Sequence, residues 1–397
     1  MSERRVLLHV GTPKTGTSHL QDVLYRNRTT LRDRGINYPG LRFDAHFLGA
    51  LDLMRMPWGG LEKDAVGAWA RLAGSARGWS GTTIISHEIL AAATPEQAAR
   101  ARESLGDAEV HIVISVRDLG RQIPAEWQEN IKHRHVLSYA AFLRRIQDPA
   151  RVGGTASWFW GVQDAPAILA RWGEGLPPER VHLITVPLPG APRDELWRRF
   201  STAFGLDGIA LEATTQRANP SLGAPETTLI RKINRRFNKL VEPADYRSLV
   251  RELLAHQTLA ARTDSPRLAL PPEVHPWARG LNQEWVEEIR ARRYDVIGSL
   301  EELLGGPPIE DYVDPDKPRP RLVTAAALDA IGALLQENAR LRQSEVTLQT
   351  AVAAARKEAN PVRRVAEAIV HTMQGHPVGR FALGVYRKVR GRPPLPR

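Results

Sequence analysis

The chain has 397 residues, 42% of them hydrophobic, and no cysteine, which allows one large domain with an appendage or two domains and excludes disulfides, thiolate metal sites and cysteine nucleophiles. The formal net charge is +11, but residues 361–397 hold eight basic residues against the one acid Glu367 and so supply +7 of it. This distribution argues against a nucleic-acid partner. We find no apolar run long enough for a signal-peptide core or a membrane span, so we expect a cytoplasmic protein.

Predicted strands alternate with predicted helices along the chain. Strands are expected at 6–10, 36–38, 82–86, 110–116 and 180–186, and helices at 17–34, 95–105, 121–133, 195–204, 226–260 and 279–304. The run 110–116 is nearly all apolar, which is typical of a strand buried on both faces. The alternation predicts an α/β fold of three layers, α/β/α, with a central parallel sheet of about five strands.

A proline-rich segment precedes the last part of the chain. Five prolines and three aspartates fall within residues 307–320. This composition predicts a linker at 307–321 between a domain at 1–306 and a helical, basic extension at 322–397.

The extension contains a leucine repeat. Leu334, Leu341 and Leu348 recur every seven residues in a predicted long helix at 325–356. This spacing is typical of a coiled coil and favours a parallel homodimer through 325–356, whereas a helix packed on its own domain is the alternative. In the tail at 361–397, apolar residues at helical spacing lie beside arginines, which favours peripheral contact with an anionic membrane at its inner face; a solvated tail is the alternative.

Residues 11–16 form a glycine loop between the first strand and the first helix. Gly11 and Gly16 let backbone N–H groups face an anion, and the helix N-terminus adds its dipole. An ATP-type loop carries its lysine directly after the second glycine, but Thr17 occupies that position here, and the lysine is Lys14 within the loop. The loop therefore keeps an anion cradle with a displaced charge, which favours sulfuryl transfer over phosphoryl transfer.

Polar residues follow three of the predicted strands. They are the Lys14 loop, His87 with Glu88, and Arg117. Ligands of parallel α/β sheets bind beyond the carboxyl ends of the strands, so one shared site is predicted there. A base must take the proton of the acceptor, and Glu88 is the leading candidate, His87 the second, with residues such as His46 and His133 left open.

The segment Pro13, Lys14, Thr15, Gly16, Thr17, Ser18 resembles the 5′-phosphosulfate loop of the sulfotransferases that use 3′-phosphoadenosine 5′-phosphosulfate (PAPS). Arg117 with Asp118, after an apolar strand, is similar to the family's 3′-phosphate motif. Ala125 stands where the family has a serine, and Ser115 and Gln122 are the candidates to replace that contact. A later segment, 217–223, resembles a loop of bacterial members that closes over the nucleotide; an ordinary turn is the alternative.

The resemblance implies a P-loop NTPase-like fold over residues 4–300 and a bacterial enzyme of the carbohydrate type. Such an enzyme moves a sulfuryl group from PAPS to a hydroxyl or amine of a carbohydrate, a glycolipid or another small acceptor, leaves 3′-phosphoadenosine 5′-phosphate (PAP) and needs no metal. Lys14 would neutralise charge on the departing phosphate. The residues implied in nucleotide binding are Pro13, Lys14, Thr15, Gly16, Thr17, Ser18, Arg117, Ser115, Asn219 and Ser221.

Two other classes of protein stay open. A nucleotide kinase or NTPase would require a lysine at position 17 and an aspartate that binds magnesium. A non-catalytic scaffold of the same fold, joined to a dimerising tail, is supported by the missing serine at Ala125, whereas the intact Lys14 loop and Glu88 argue against it.

Overall fold

The computed structural model describes residues 4–213 and 221–358, together with 365, 368–373, 379, 382 and 383. The chain divides into two compact units, Met1–Ala330 and Ile331–Arg397.

The first unit is built on a parallel sheet of six strands. The strands are β1 (Arg5–His9), β2 (Ile36–Asn37), β3 (Thr82–Ser86), β4 (Glu109–Val116), β5 (Val181–Thr185) and β6 (Asp295–Ile297). Their order is β2-β3-β1-β4-β5-β6, and each neighbouring pair is parallel. His9 at the end of β1 is level with Ser86 of β3 and Val113 of β4. The loop after β1 therefore begins beside the end of β3 and runs along the last residues of β4, where the Thr12 N–H donates to the Ser115 carbonyl at 2.8 Å.

Helices connect the strands. The α-helices are α1 (Thr17–Arg26), α2 (Arg28–Asp33), α3 (Ala45–Met54), α4 (Glu62–Ala65), α5 (Ala68–Arg77), α6 (Pro95–Glu103), α7 (Leu119–Lys132), α8 (Tyr139–Gln147), α9 (Gly154–Gln163), α10 (Ala165–Trp172), α11 (Glu195–Phe204), α12 (Ala224–Phe237), α13 (Pro243–Asp245), α14 (His275–Arg292) and α15 (Pro320–Glu358). A π-helix spans Tyr246–Thr258.

The helices cover both faces of the sheet, which confirms the predicted three-layer α/β/α architecture. On one face, Leu20 of α1 and Phe200 of α11 pack with Leu7 of β1 in a buried apolar cluster. Helix α10 packs against β4 and buries Trp172 completely. Because successive side chains of a strand point to opposite faces, β1 needs apolar residues at consecutive positions, as its sequence provides.

Two sequence predictions differ from the structure. The sheet has six strands rather than about five, because the predicted helix at 279–304 ends at Arg292 and Asp295–Ile297 adds an edge strand. The predicted helix at 17–34 is two helices that meet at Asn27, whose side-chain amide donates to the Val23 carbonyl at 2.8 Å. The helices predicted within 226–260 are α12, α13 and the π-helix.

The proline-rich segment lies within the first unit. The Asp316 carboxylate accepts the Ala140 backbone N–H at 2.8 Å and pairs with Arg231 of α12. Helix α15 continues into the second unit, where Ile331, Leu334, Leu341 and Leu348 are exposed. Within the described ranges, we find no helix with both the length and the apolar content to cross a bilayer.

Candidate active site

The loop after β1 leads directly into α1. Gly16 forms the N-cap of α1 with a φ of 90°, and no described side chain caps this end. The first N–H groups of an α-helix have no partner within the helix, so this end offers its donors to an anion. The positive φ favours glycine at this position, and a Cβ there would also lie 2.7 Å from Leu196 Cδ2, so that the leucine side chain would have to move.

Buried hydroxyl groups of the loop and of β4 hold the loop in place. Thr15 Oγ1 lies 2.6 Å from the Thr12 carbonyl oxygen and 2.6 Å from Ser115 Oγ. Ser115 Oγ also lies 3.2 Å from the Gly11 carbonyl oxygen. Ser115 and Thr15, both predicted to bind nucleotide, are buried, and in this structure their hydroxyl groups contact the loop itself.

Lys14 is the cation of the loop and has a φ of 67°, a conformation that residues other than glycine rarely adopt. Its Nζ lies 2.8 Å from Glu129 Oε2 of α7, and its side chain is 16% exposed. The ammonium group is therefore directed towards α7 rather than into bulk solvent.

Glu129 is surrounded by cationic and imidazole groups. Its carboxylate lies 3.2 Å from His133 Nε2, 3.4 Å from an Arg251 guanidinium nitrogen and 4.0 Å from Lys132 Nζ. Burial alone would raise the pKa of Glu129, but Lys14 and the other neighbouring groups hold that pKa well below its ordinary value, so the group is ionised. The sequence analysis missed Glu129; the available signal was its i,i+3 and i,i+4 spacing to Lys132 and His133.

Arg117 follows β4 and is joined to the loop through one side chain. Its Nε donates to Gln122 Oε1 at 2.8 Å, and Gln122 Nε2 donates to the Pro13 carbonyl at 2.6 Å. Burial, followed by the charge of Arg121, lowers the pKa of Arg117 to about 10, so the guanidinium stays charged at neutral pH. Among the described residues, no carboxylate forms an ion pair with Arg117.

His87 and Glu88 follow β3 beside the loop. The His87 backbone N–H donates to the His9 carbonyl at 3.1 Å, and Gln21 Nε2 of α1 donates to Glu88 Oε2 at 2.8 Å. Burial pushes the pKa of Glu88 upwards, but His87, the backbone N–H of Glu88 and Gln21 together bring it below its ordinary value. Burial lowers the pKa of His87. At neutral pH the pair is therefore an ionised Glu88 and a neutral His87, with Nδ1 and Oε2 3.9 Å apart.

His46 is held by the backbone at both ring nitrogens. Nε2 lies 2.6 Å from the Pro39 carbonyl oxygen, and Nδ1 accepts the Ser86 N–H at 3.0 Å. Both nitrogens of this buried ring are engaged, so neither is available to take a proton from an acceptor. His133, the other candidate histidine, is paired with Glu129.

The late loop meets α7. Asn219 lies outside the described residues, and Ser221 is exposed. The next residue, Leu222, donates its N–H to Gln128 Oε1 at 3.0 Å and accepts from Gln128 Nε2 at 2.8 Å. The described end of this loop is thus fixed to the helix that also carries Glu129.

A row of half-buried rings connects the two acidic positions. The Phe47 ring centroid lies 5.1 Å from His87 and 5.6 Å from Trp58, and Trp58 lies 6.1 Å from His133. Trp158 of α9 lies 6.4 Å from Trp58. These rings form an aromatic row between His87, next to Glu88, and His133, next to Glu129.

No protein-family model matches the chain, and no curated protein sequence matches it significantly. Among solved structures, the crystal structure of a sulfotransferase from Alicyclobacillus acidocaldarius is similar, with 20% identity over 62% of this chain and 96% of that chain and a TM-score of 0.36. At this TM-score the likeness adds nothing to what the sheet and the loop themselves show. In the described part of the chain, no cluster of three or more His, Asp or Glu side chains could hold a metal ion.

Proposed function

We propose that this protein is a sulfotransferase that moves a sulfuryl group from PAPS to a hydroxyl or amine of a carbohydrate, glycolipid or other small acceptor. The observation that carries the proposal is the position of Lys14, inside the loop that opens α1, with Thr17 where an ATP-type loop has its lysine. Such a loop offers backbone N–H groups to the phosphosulfate of PAPS and places one cation beside the sulfuryl group that is transferred.

The residues at this edge of the sheet fit the anionic groups of PAPS. The uncapped start of α1, with Thr17 and Ser18, would hold the 5′-phosphosulfate. Arg117, which is charged and has no carboxylate partner among the described residues, would hold the 3′-phosphate. Gln122 would keep these two positions in register because it contacts both Arg117 and Pro13.

PAPS supplies a sulfuryl group bound to its 5′-phosphate through a bridging oxygen. The acceptor oxygen or nitrogen forms a bond to sulfur while the bond from sulfur to the bridging oxygen breaks. Lys14 offsets the negative charge that builds on the departing phosphate. We expect this to be the main electrostatic contribution to the rate. The ionised carboxylate of Glu88 takes the proton of the acceptor.

We also propose that the exposed leucines of α15 pair with those of a second copy in a homodimer through 325–356. The segment 361–397 lies mostly outside the described residues. Its contact with an anionic membrane, and the cytoplasmic location of the protein, stay predictions.

The function is tested by nucleotide binding and by transfer of labelled sulfur. We expect PAP to bind without magnesium and more tightly than ATP, and labelled PAPS to mark compounds in cell extracts. Lys14→Ala should lower turnover by about a hundredfold or more and lower PAP affinity much less, by about tenfold at most. Lys63→Ala, which removes an exposed lysine outside the site, is the matched control. Preference for magnesium-ATP would indicate a kinase, and PAP binding without any transfer would indicate a scaffold.

A further inference from the structure

A cluster of charged groups lies beside Lys14, and its members have no role in binding the nucleotide as proposed above. We call it the Glu129 cluster, and it consists of Glu129, Lys132, His133, Arg251 and His256; Lys14 borders it through its ion pair with Glu129. Resting on the proposed function, we propose that the Glu129 cluster is an acceptor subsite that binds an oxyanion substituent of the acceptor, a carboxylate, sulfate or phosphate.

The first support is unused hydrogen-bonding capacity. Arg251 Nε and His256 Nε2 are buried and have no hydrogen-bond partner among the described residues. Arg251 Nε–H is a buried donor without a partner, and His256 Nε2 becomes a second such donor when the ring is protonated, because Nδ1 already faces the Glu252 carboxylate. Buried donors are rarely left unpaired in folded proteins, so these atoms indicate a missing ligand. Both belong to the π-helix, which packs against α7.

The second support is the balance of charge. Glu129 is shared among Lys14, Lys132, His133 and Arg251, and Glu252 lies 3.3 Å from His256 Nδ1. Glu126, also on α7, is the third nearby acid; burial and then Glu129 raise its pKa to about 7, and Gln163 donates to it at 3.3 Å. Among the described residues, these three acids are shared by five basic side chains, which are Lys14, Lys132, His133, Arg251 and His256. The described part of the cluster can therefore hold more protons than its acids balance.

The crowding of basic groups affects the protonation of Lys132. Burial, followed by the charge of Lys14, lowers the pKa of Lys132 to about 7. Burial, followed by the charge of Lys132, also lowers the pKa of His256. An anion bound among these groups would reverse the effect, because an opposite charge nearby favours the protonated form. Binding should therefore be accompanied by proton uptake.

The position of the cluster points to the acceptor rather than the nucleotide. Gln122, the partner of Arg117, and Glu129 are seven residues apart on α7, about 10 Å along the helix axis. The 3′-phosphate position is thus at one end of α7, and the cluster is at the other end beside Lys14. The aromatic row runs from His87 to His133, a member of the cluster. A ring of the acceptor on Trp58 could therefore present a hydroxyl towards Glu88 and an acidic group to the cluster.

The test uses the full-length protein saturated with PAP, so that the nucleotide site is occupied. Calorimetric titrations compare glucose 6-phosphate and glucose 6-sulfate with glucose, and phenyl phosphate with phenol. We expect an acidic ligand to bind about tenfold or more tightly than its neutral partner, because charge-assisted hydrogen bonds are the stronger class. Titrations in two buffers of different ionisation enthalpy should show proton uptake at pH 8.

Two variants locate the effect. Arg251→Gln and Lys132→Met should each abolish the preference for the acidic ligand and leave PAP affinity within about twofold, which also shows that the variants are folded. Arg247→Gln, on the same π-helix but exposed, should keep the preference. Equal binding of acidic and neutral ligands, no binding of any acidic ligand, or an unchanged preference in Arg251→Gln would overturn the proposal. A protein that does not bind PAP at all would instead refute the proposed function.

Discussion

The Lys14 ammonium lies 2.8 Å from the Glu129 carboxylate, at the edge of a loop built to receive an anion. An anionic donor and Glu129 therefore compete for the same cation. We expect Glu129→Gln to raise PAP affinity by about three- to tenfold, because the change removes a like charge beside the donor and keeps the shape of the side chain. Calorimetry measures the affinity, and Glu252→Gln, which removes an acid that pairs with His256 and not with Lys14, should change it by less than about twofold. Unchanged or weaker binding in Glu129→Gln would show that no such competition exists.

Arg117 is expected to recognise the 3′-phosphate alone. Arg117→Ala should weaken PAP binding by about 10- to 100-fold, since a charge-assisted hydrogen bond to a phosphate is worth about 1.5–3 kcal/mol. Adenosine 5′-phosphate, which lacks the 3′-phosphate, should bind the variant and the parent protein equally well and provides the internal control. If both nucleotides lost affinity to the same extent, the role of Arg117 would be to position the loop through Gln122 and not to bind the 3′-phosphate.

The pH dependence of turnover distinguishes Glu88 from His87 as the base. The pKa of Glu88 is below its ordinary value of 4.5, so this group is ionised and ready to accept a proton throughout pH 5–8. We therefore expect kcat to show no acidic limb above pH 5. Glu88→Gln should lower kcat by about 10²- to 10⁴-fold with PAP affinity unchanged. The matched variant His87→Gln should lower kcat far less; the reverse order of the two effects would assign the base to His87.

We expect two buried histidines, His9 and His46, to make the fold sensitive to acid. Burial, the largest cause, lowers the pKa of both His9 and His46 from 6.5 to about 4. The unfolded chain binds these protons near pH 6.5, whereas the folded chain does so only near pH 4. Stability is therefore fully present above about pH 7 and falls by about 3 kcal/mol for each histidine between pH 6.5 and 4.

Urea unfolding at a series of pH values measures this loss. His46→Gln should reduce the slope of unfolding free energy against pH in this window, whatever its effect on stability at pH 7. A slope identical to that of the parent protein would mean that His46 is not responsible for the acid sensitivity.

The proposed homodimer can be tested by measuring the molar mass of the parent protein and of one variant in the leucine repeat. Leu341 is 49% exposed on α15 in the single chain, and a coiled coil would cover it. We expect light scattering to give a dimer for the full-length protein and a monomer for Leu341→Lys. Gln343→Lys, at an outward position of the same repeat, should stay dimeric. A monomeric parent protein would instead show that these leucines pair with no second copy.

Much of the site could be predicted because its residues follow strands. Parallel strands bring their carboxyl ends to one edge, so the order of apolar runs was enough to predict that Lys14, Glu88 and Arg117 would lie at the same side of the sheet. The register of β1 with β3 and β4 confirms this common edge. The roles of these residues stay predictions.

The missed features depend on contacts distant in sequence or on very short segments. Lys14 and Glu129 are separated by 115 residues, and no local pattern relates a loop lysine to one acid of a later helix. Strand β6 has three residues directly after a long helix, too few to show a period of two. The break at Asn27 contains neither proline nor glycine, the usual signals for the end of a helix.

The hydrogen bonds of the Gln122 side chain to Arg117 and Pro13 also restrict which insertions and deletions this part of the sequence can accept. Adding or deleting a single residue between positions 117 and 122 would rotate the glutamine by about 100° around α7. Arg117 and Pro13 would then lose their shared partner together. A one-residue insertion or deletion there would thus break two contacts in one event, whereas a point change at Arg117 would remove only one of them.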